Sequence, residues 1–375
     1  VLRSVIGGSG LATYLLLQEG TAAQNALAAE SPLIFAFSPL VGSPLTTSAK
    51  FAVVSKSPLT ERINDSLASS GFAIAAKRCG ADAIMITGRA EIPSLLVIDD
   101  DEVEVLPAGD LWGREIEDAE AMLRDRFGAD YQFAVIGPAG ERQVLFATVS
   151  HDGRHAGRGG SGAVMGAKNL KAIAVRGTQQ VHWADPKGLV TAAKQLSAKS
   201  FGPATAKYRE LGTASNLLVF NRLHALPTRN FQQASFPGVE QLSPEQLTTV
   251  RSKTRASCAA CTIGCEHIYG LQSGSEKGVR VEYENLFALG PLCGIADADA
   301  VLQASQRCNQ LGIDTISAGG TIAFAMECVS KGLIDEPWLQ FGRADALLQA
   351  IDLIGFRRGF GDRLALGSRR LAQQI

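Results

Sequence analysis

Apolar positions along the chain follow two rhythms. In the first half they come as short runs broken by Gly, Pro and Asp: SPLIFAFSPL (31–40), KFAVVSKS (50–57), ADAIMITGR (81–89), SLLVIDDDEVEVLP (94–107), YQFAVIG (131–137) and QVLFATVS (143–150). Short alternating or wholly apolar runs between such breakers predict strands. DDDE (99–102) predicts a hairpin turn between two of them. EIEDAEAMLRDRFG (115–128) instead repeats its apolar residues at helical spacing and predicts a helix stopped by Gly128. NLKAIAVRG (169–177) predicts a closing strand. After HWADP (182–186) the rhythm becomes helical. It runs through 185–200, opened by Asp-Pro, and through 243–253, capped by Ser243. It continues through 297–314, 315–333, 343–355 and 361–374. The change of rhythm places a boundary near residue 181, with a β-rich domain over 1–181 and a mainly helical one over 182–375. The predicted class is α+β, with an N-terminal β-sheet domain followed by a largely α-helical domain.

Composition narrows the function classes. A chain of 375 residues, 46% hydrophobic and 19% charged, buries a sizeable core. Lys+Arg 36 against Asp+Glu 37 leaves net −1, so no global field draws in nucleic acid. No apolar run reaches the length of a membrane span, and no signal peptide stands out. The chain opens on Val1 rather than Met, so a natural start upstream is expected. Seven cysteines are too sparse for a disulfide scaffold. Three of them crowd into 258–265, which reads as a metal site in a reducing, cytoplasmic compartment.

Residues 152–175, DGRHAGRGGSGAVMGAKNLKAIAV, carry the glycines 157, 159, 160, 162 and 166 beside Arg154, Arg158, Lys168 and Lys171. Bare backbone lets successive N–H groups form an anion-binding concavity. The plainer alternative is a tight β-turn whose charges face solvent. Gly157-x-Gly159-x-x-Gly162-x-Val164 also fits the kinase glycine loop and the dinucleotide fingerprint, which keeps nucleotide binding open. No H-R-D, D-F-G or Walker lysine pattern accompanies it. The second motif is Cys258-x-x-Cys261-x-x-x-Cys265, in a loop with Gly264. Three soft ligands in one loop point to an iron–sulfur cluster or zinc. A structural zinc site would bring a second ligand pair, and none is evident. Radical enzymes that cleave S-adenosylmethionine use the reverse order, C-x-x-x-C-x-x-C. His267, Cys293 and Cys308 stay open as a fourth ligand, while Cys79, Cys308 and Cys328 individually read as core residues.

Together these motifs, and the segments between them, resemble the tungsten- or molybdenum-containing aldehyde:ferredoxin oxidoreductases. The likeness runs from GGSGLATYLL (7–16) through SPLIFAFSPLVGS, KFAVVSKSPLT, GADAIMITGRAE, IGPAGE and AGRGGSGAVMGAKNLKAIAV. It continues through LGTA, LPTRNFQ, CAACTIGC, EYENLFALGPLCGI and LGIDTISAGGTIAFAME, in matching order and spacing. The resemblance implies a first domain whose β-sheets form a base for a bis-pterin tungsten or molybdenum cofactor, covered by largely helical domains, with a [4Fe–4S] cluster beside one pterin. It implies that the glycine loop cradles the pterin phosphates through Arg154, the backbone near His155 and Ala156, Gly157, Arg158, Gly159, Gly160, Gly162 and Lys168, with Mg bridging the phosphates. Lys50, Asn309 and Asp314 are the other implied cofactor contacts. Cys258, Cys261 and Cys265 are the implied cluster ligands, and Glu284, in VEYENLFALG, the implied catalytic residue, with Glu282 read as a solvated strand-edge or first-turn carboxylate.

Three positions depart from the family pattern. Lys50 replaces an arginine and loses bidentate geometry. Ala68 stands where the family often has Asn, and Asn309 replaces the first acid of a D-x-x-G-L-D motif that keeps Asp314. Family chains are also longer. Their last domain, with a second such motif, the fourth cluster cysteine and a histidine near the metal, is expected to lie outside these 375 residues. The implied reaction turns an aldehyde and water into a carboxylic acid, with electrons leaving through the cluster to ferredoxin or another iron–sulfur subunit. Relatives use the scaffold for other chemistry, including ring reduction of an aromatic thioester. The competing expectation is a non-catalytic or split subunit that binds a partner and a cluster. A homo-oligomer, or a subunit supplying the last domain, is expected; nucleic acid is not.

Overall fold

The apolar centre of the run 31–40, Leu33–Phe37, becomes a strand covered on both faces, and the first part of the molecule is built around it. The computed structural model describes residues 2–20, 23–272 and 278–375. The chain divides into two units: Val1–Lys199 with Cys258–Thr262 and Gln310–Ile313, and Ser200–Ser257 with Ile263–Asn309 and Asp314–Ile375.

In the first unit β1 (Leu33–Phe37), β2 (Lys50–Lys56), β3 (Ile63–Ser69) and β4 (Ala83–Ile86) form an antiparallel sheet in the order β3-β2-β1-β4. A second sheet contains β5 (Ser94–Asp99), β6 (Glu102–Pro107), β7 (Gln132–Val135), β8 (Val149–His151), β9 (Arg154–Ala156) and β10 (Leu170–Arg176). Its order is β6-β5-β10-β7-β8-β9, and only β5 and β10 pair in parallel. Side chains alternate across each strand, so β1 feeds two cores. Leu33, Phe35 and Phe37 pack with Phe51, Phe72, Ile173 and Val175 in the core shared by both sheets. Ile34 and Ala36 turn outward beneath Ala12 and Leu16 of the helix Gly8–Glu19. Leu95, Val97, Ala172 and Ala174 face the other way, against Leu123 of the helix Ile116–Phe127. Each large apolar side chain buried in this way contributes about 1.5–3 kcal/mol.

The second unit holds the helices Ala298–Leu311, Thr315–Ser330 and Ala344–Phe356, together with β11 (Lys253–Ala256), β12 (Glu266–Tyr269) and β13 (Val279–Val281) in one antiparallel sheet. Gly319 lets the helix Thr315–Ser330 close on the helix Tyr283–Leu289, since a Cβ there would lie 2.2 Å from the Ala288 carbonyl oxygen. Among the described residues no single helix is long and apolar enough to cross a membrane.

The α+β class and most predicted elements match the structure. The helix expected over 115–128 ends where Gly128 takes φ 83° and its N–H bonds Arg124 O. Ser243 caps the helix Pro244–Val250 through its Oγ, which accepts from Gln246 N at 3.2 Å. Two segments differ. Of the run 143–150 only Val149 and Ser150 are in a strand, because Val144 N turns back to Ala139 O at 2.9 Å behind the short helix Pro138–Glu141. The helix expected over 361–374 is two, Phe360–Leu364 and Ser368–Ala372, parted where Gly367 takes φ 81°.

Candidate functional site

Four segments that lie far apart in the sequence meet in the first unit through backbone hydrogen bonds. Thr47 N donates to Ala260 O at 2.6 Å, and Thr262 N to Thr46 Oγ1 at 3.0 Å. The Thr46 and Thr262 hydroxyls lie 2.8 Å apart. These bonds fix Cys258–Thr262 to the stretch that leads into β2 and Lys50. Ser70 N donates to Ala49 O at 3.2 Å, so the turn after β3 joins the same place. Gly71 N donates to Asp152 Oδ2 at 2.7 Å, which brings in the β8–β9 turn, and the His151 ring lies edge-on to Phe51 at 5.0 Å. Lys50, the Ala68–Gly71 turn, the Asp152–Arg154 hairpin and two of the cysteines are therefore neighbours in one unit. Gln310–Ile313 joins the unit as well. Ile313 bridges Ala147, and Thr148 N donates to Gly312 O at 2.9 Å.

The glycine loop owes most of its glycines to the protein itself. A Cβ at Gly159 would lie 1.9 Å from Asn64 Oδ1, one at Gly160 2.1 Å from Leu145 O, and one at Gly162 2.3 Å from Thr148 O. Gly166 is equally closed, with Gly140 O at 1.9 Å. Gly159 and Gly160 both take positive φ, 80° and 83°, so they are needed twice over. Gly157 differs: among the described residues nothing lies within 4 Å of its Cβ position, so that side of the loop is open. The loop is anchored by Asn64 Nδ2 to Arg158 O at 3.0 Å, Arg158 N to Ser66 Oγ at 3.2 Å and Ser57 Oγ to Gly159 O at 2.8 Å. The Arg158 side chain is exposed and that of Arg154 half-buried. His155 Nδ1 sits 2.9 Å from Thr148 Oγ1, and Ala156 is buried in the β8–β9 pairing.

The lysines of the motif turn away from this opening. Lys168 is buried and donates to Ala29 O at 2.8 Å and Gly88 O at 3.2 Å, and burial pulls its pKa down to about 8. Lys171, fully buried, pairs with Glu141 at 2.5 Å and donates to Arg114 O at 2.8 Å. Both ammonium groups hold the fold together. Glu120 is a half-buried acid near the hairpin. Its pKa is pushed up to about 7, first by burial and then by Asp152, and its Oε1 accepts from Ser150 Oγ at 3.4 Å.

Cys258, Cys261 and Cys265 are partly exposed thiols. Cys261 N bonds Cys258 O at 3.1 Å, and Ala260 and Gly264 turn the loop with positive φ. Cys258 and Cys261 belong to the first unit, while Cys265 is grouped with the second. Among the described residues no group of three or more His, Cys, Asp or Glu side chains converges on one point. The three thiols thus match iron–sulfur chemistry in type and spacing, without a gathered ligand cage. The alternative fourth ligands are engaged inside the second unit. Cys293 is fully buried, with its Sγ 3.5 Å from Ala288 O and its pKa pushed up to about 12 by burial. Cys308 is buried, and His267 Nε2 lies 3.1 Å from Arg209 O.

In the second unit Glu284 lies exposed in the first turn of the helix Tyr283–Leu289. Glu282 caps that helix in a capping box with Asn285 and accepts from Thr213 Oγ1, so its carboxylate is structural. Asp314 likewise caps the helix Thr315–Ser330, accepting from Ser317 N at 3.2 Å and Ser317 Oγ at 2.5 Å. Asn309 lies half-buried near the end of the helix Ala298–Leu311. Thr46, Thr262 and Asp152, which bind the motifs to one another, carry no distinguishing sequence signal; Thr262 merely follows Cys261.

The base unit suits an anionic, polar group. Among the described residues the buried Ser69 Oγ has no hydrogen-bond partner, and Ser69 pairs with Lys50 across the strand edge. Lys50 is exposed, Arg158 is exposed, and Gly157 is open on its Cβ side. A cavity of about 200 Å³ opens beside Lys50, lined also by Gly7, Ser38, Pro39 and Leu67.

Comparison with known proteins adds the following. The family model described as aldehyde ferredoxin oxidoreductase, N-terminal domain, matches residues 1–177, and the model for domains 2 and 3 matches residues 189–375. The tungsten-containing aldehyde ferredoxin oxidoreductase of Pyrococcus furiosus is 40% identical over 98% of this chain, and that of Thermococcus kodakarensis 38% identical over the same share. A protein named aliphatic sulfonate oxidoreductase, WOR-like subunit, from Pyrococcus furiosus is 30% identical over the whole chain. This chain spans 62% of the length of the first two and 64% of the third. Among solved structures, the active site complex BamBC of benzoyl coenzyme A reductase, with 1,5-dienoyl-CoA, superposes with a TM-score of 0.87 at 26% identity, over 100% of this chain and 59% of that one.

Proposed function

The chain belongs to the aldehyde ferredoxin oxidoreductase family, and on that premise we propose that it is the cofactor-binding part of an oxidoreductase that converts an aldehyde and water to a carboxylic acid, two protons and two electrons. The observation that carries this reading is the meeting of Lys50, the Ala68–Gly71 turn, the Asp152–Arg154 hairpin and the Cys258–Thr262 segment in one hydrogen-bonded assembly. Lys50, Arg154 and Arg158 would hold the pterin phosphates, with Ser69 Oγ and the Gly157 backbone as neutral contacts and a Mg ion between the phosphates. A tungsten or molybdenum bis-pterin, when bound, supplies the two-electron redox chemistry. Cys258, Cys261 and Cys265 would ligate a [4Fe–4S] cluster, which would supply single-electron transfer to ferredoxin or another iron–sulfur protein.

Glu284 is the proposed proton acceptor. Its exposed carboxylate stands on a helix turn fixed by the Glu282–Asn285 capping box, so it is held in place and remains open to solvent and substrate. Lys168 and Asp314 are left out of the proposed cofactor contacts, because one grips two carbonyls and the other caps a helix. The test is anaerobic purification followed by aldehyde-dependent dye reduction. Glu284→Gln should keep tungsten or molybdenum and iron while losing turnover by ~10²–10⁴-fold, the usual weight of a general acid–base group. Loss of cofactor in that variant would make Glu284 structural, and normal turnover would exclude it as the base.

A second reading has one observation in its favour: the similarity to a protein named as a subunit, in a chain whose positions 50, 68 and 309 depart from the family pattern. In that case the chain binds a partner and a cluster without oxidising aldehydes. Iron without tungsten or molybdenum would select it.

A further inference from the structure

A second cavity opens on the first sheet, at the end opposite Lys50. It measures about 490 Å³ and lies where the end of the helix Gly8–Glu19 meets the last residue of β2 and the first of β3. Small-molecule sites span ~300–1,000 Å³ and combine apolar walls with a few polar groups. Lys50 and Lys56 bound β2, roughly 20 Å apart at ~3.4 Å per residue. Among the described residues none lines both this cavity and the one beside Lys50.

Part of the lining is apolar and rigid. Leu16 packs with Ile34 and Val54 in the core behind it, and Pro32 is buried. Leu16 Cδ1 and Pro32 Cδ both lie 3.6 Å from the Cβ position of Gly20 between them. Leu17 and Ile63 line the same space but stay 62% and 50% exposed, so the protein itself leaves them uncovered. Ile63 pairs with Lys56 across β2 and β3, which sets the apolar part beside the charged part. Two cations, Lys56 and Arg62, and one acid, Glu61, line the cavity, a balance that favours a singly charged anion. Lys56 Nζ donates to Gln24 O at 2.7 Å and holds that segment against the sheet. Arg62 is exposed, and among the described residues its guanidinium makes no hydrogen bond or ion pair. Its backbone is nevertheless fixed, because Arg62 O accepts from Ser57 N at 2.8 Å. Ser57 Oγ closes the same turn, accepting from Leu59 N at 3.2 Å and Thr60 N at 3.1 Å and donating to Gly159 O at 2.8 Å.

We propose that this cavity is a second ligand site, which takes a carboxylate bearing an aliphatic chain. The chain covers Leu16, Leu17, Pro32 and Ile63, and the carboxylate pairs with the Arg62 guanidinium, whose planar fork matches it in charge and shape. An aliphatic acid is ionised at neutral pH and brings the single negative charge that the lining favours. Binding here needs neither turnover nor a bound metal.

Isothermal titration of the anaerobically purified protein tests this, with octanoate, butanoate and octanol as probes. Octanoate should bind the wild type, and butanoate should bind more weakly by roughly fourfold for each methylene lost from the apolar lining. Octanol keeps the chain without the charge and should bind roughly tenfold more weakly than octanoate, as for the loss of a charge-assisted hydrogen bond. Arg62→Gln should weaken octanoate by about the same tenfold and leave octanol unchanged. Leu17→Gln should weaken both roughly fivefold. Both side chains are exposed, so both variants should unfold at the wild-type urea concentration and keep the wild-type metal content. No octanoate binding to the wild type would overturn the proposal, and so would octanol binding as tightly as octanoate. Octanoate binding that neither variant changes would place the ligand elsewhere, the reaction site included, and would overturn it too. A wild type that binds octanoate in this way yet oxidises no aldehyde would contradict the aldehyde reading alone.

Discussion

Gly160→Ala and Gly157→Ala separate what the glycine loop does for the fold from what it does for a ligand. Gly160 takes φ 83°, where an L-residue costs roughly 1–2 kcal/mol. Its new methyl would lie 2.1 Å from Leu145 O and 2.9 Å from Pro58 Cγ, and forcing that contact apart adds about 1–3 kcal/mol. The sum, about 2–5 kcal/mol, is a large share of the ~5–15 kcal/mol that stabilises a typical domain. At a urea dependence of ~1–3 kcal/mol per molar, the midpoint should fall by roughly 1–2 M. Gly157→Ala adds a methyl with no neighbour within 4 Å and without left-handed strain, so it should shift stability by less than ~0.5 kcal/mol. The same methyl occupies the open backbone assigned to the pterin phosphates, so pterin content should drop in a protein that folds normally. Urea unfolding followed by fluorescence, together with oxidation of released pterin to its fluorescent products, reads both effects. A Gly160→Ala protein as stable as wild type would refute the steric argument. Full pterin loading in Gly157→Ala would refute the assignment of phosphate to that face.

Two further outcomes follow from charged groups in and beside the core. Glu120 has its folded pKa raised from 4.5 to about 7, so its contribution is fully present below pH 4.5 and is lost as pH rises through 7; Glu120→Gln should therefore unfold at higher urea than wild type at pH 8 and at nearly the same urea at pH 4.5, and a constant difference would exclude this titration. Lys171→Met strands Glu141 in the core beneath its lost partner and should cost about 3–5 kcal/mol, most of it recovered by adding Glu141→Leu; urea midpoints of the single and double variants check this, and additive losses would contradict it.

Strand positions were legible wherever a run is covered on both faces, as in Leu33–Phe37. β3 escaped because its inward residues are small or polar, with Ser66 and Ala68 buried while Ile63 and Leu67 are exposed. The capping roles of Ser243 and Gly128 could be read locally, since a cap depends on three or four neighbouring residues. The attachment of Cys258–Thr262 to the first unit could not, because Thr46 and Thr262 are 216 residues apart and neither has a distinguishing pattern. Charge in the glycine stretch was equally ambiguous. A lysine read as a phosphate contact and a lysine that closes a carbonyl pair look alike in sequence, and only the fold turns Lys168 onto Ala29 and Gly88. The glycines shared this ambiguity: a residue that admits a ligand and one that admits a neighbouring strand are both written Gly, and four of the five here admit protein.

As proposed above, this chain holds a tungsten- or molybdenum-pterin together with an iron–sulfur cluster. The direct measurement is metal and pterin analysis of the anaerobically purified protein alongside Cys258→Ser, Cys261→Ser and Cys265→Ser. The wild type should contain tungsten or molybdenum with pterin and cluster iron, and each variant should lose the broad visible absorption and iron, with pterin at least partly retained. Zinc at one per chain with iron absent, or iron unaffected by all three substitutions, would contradict it.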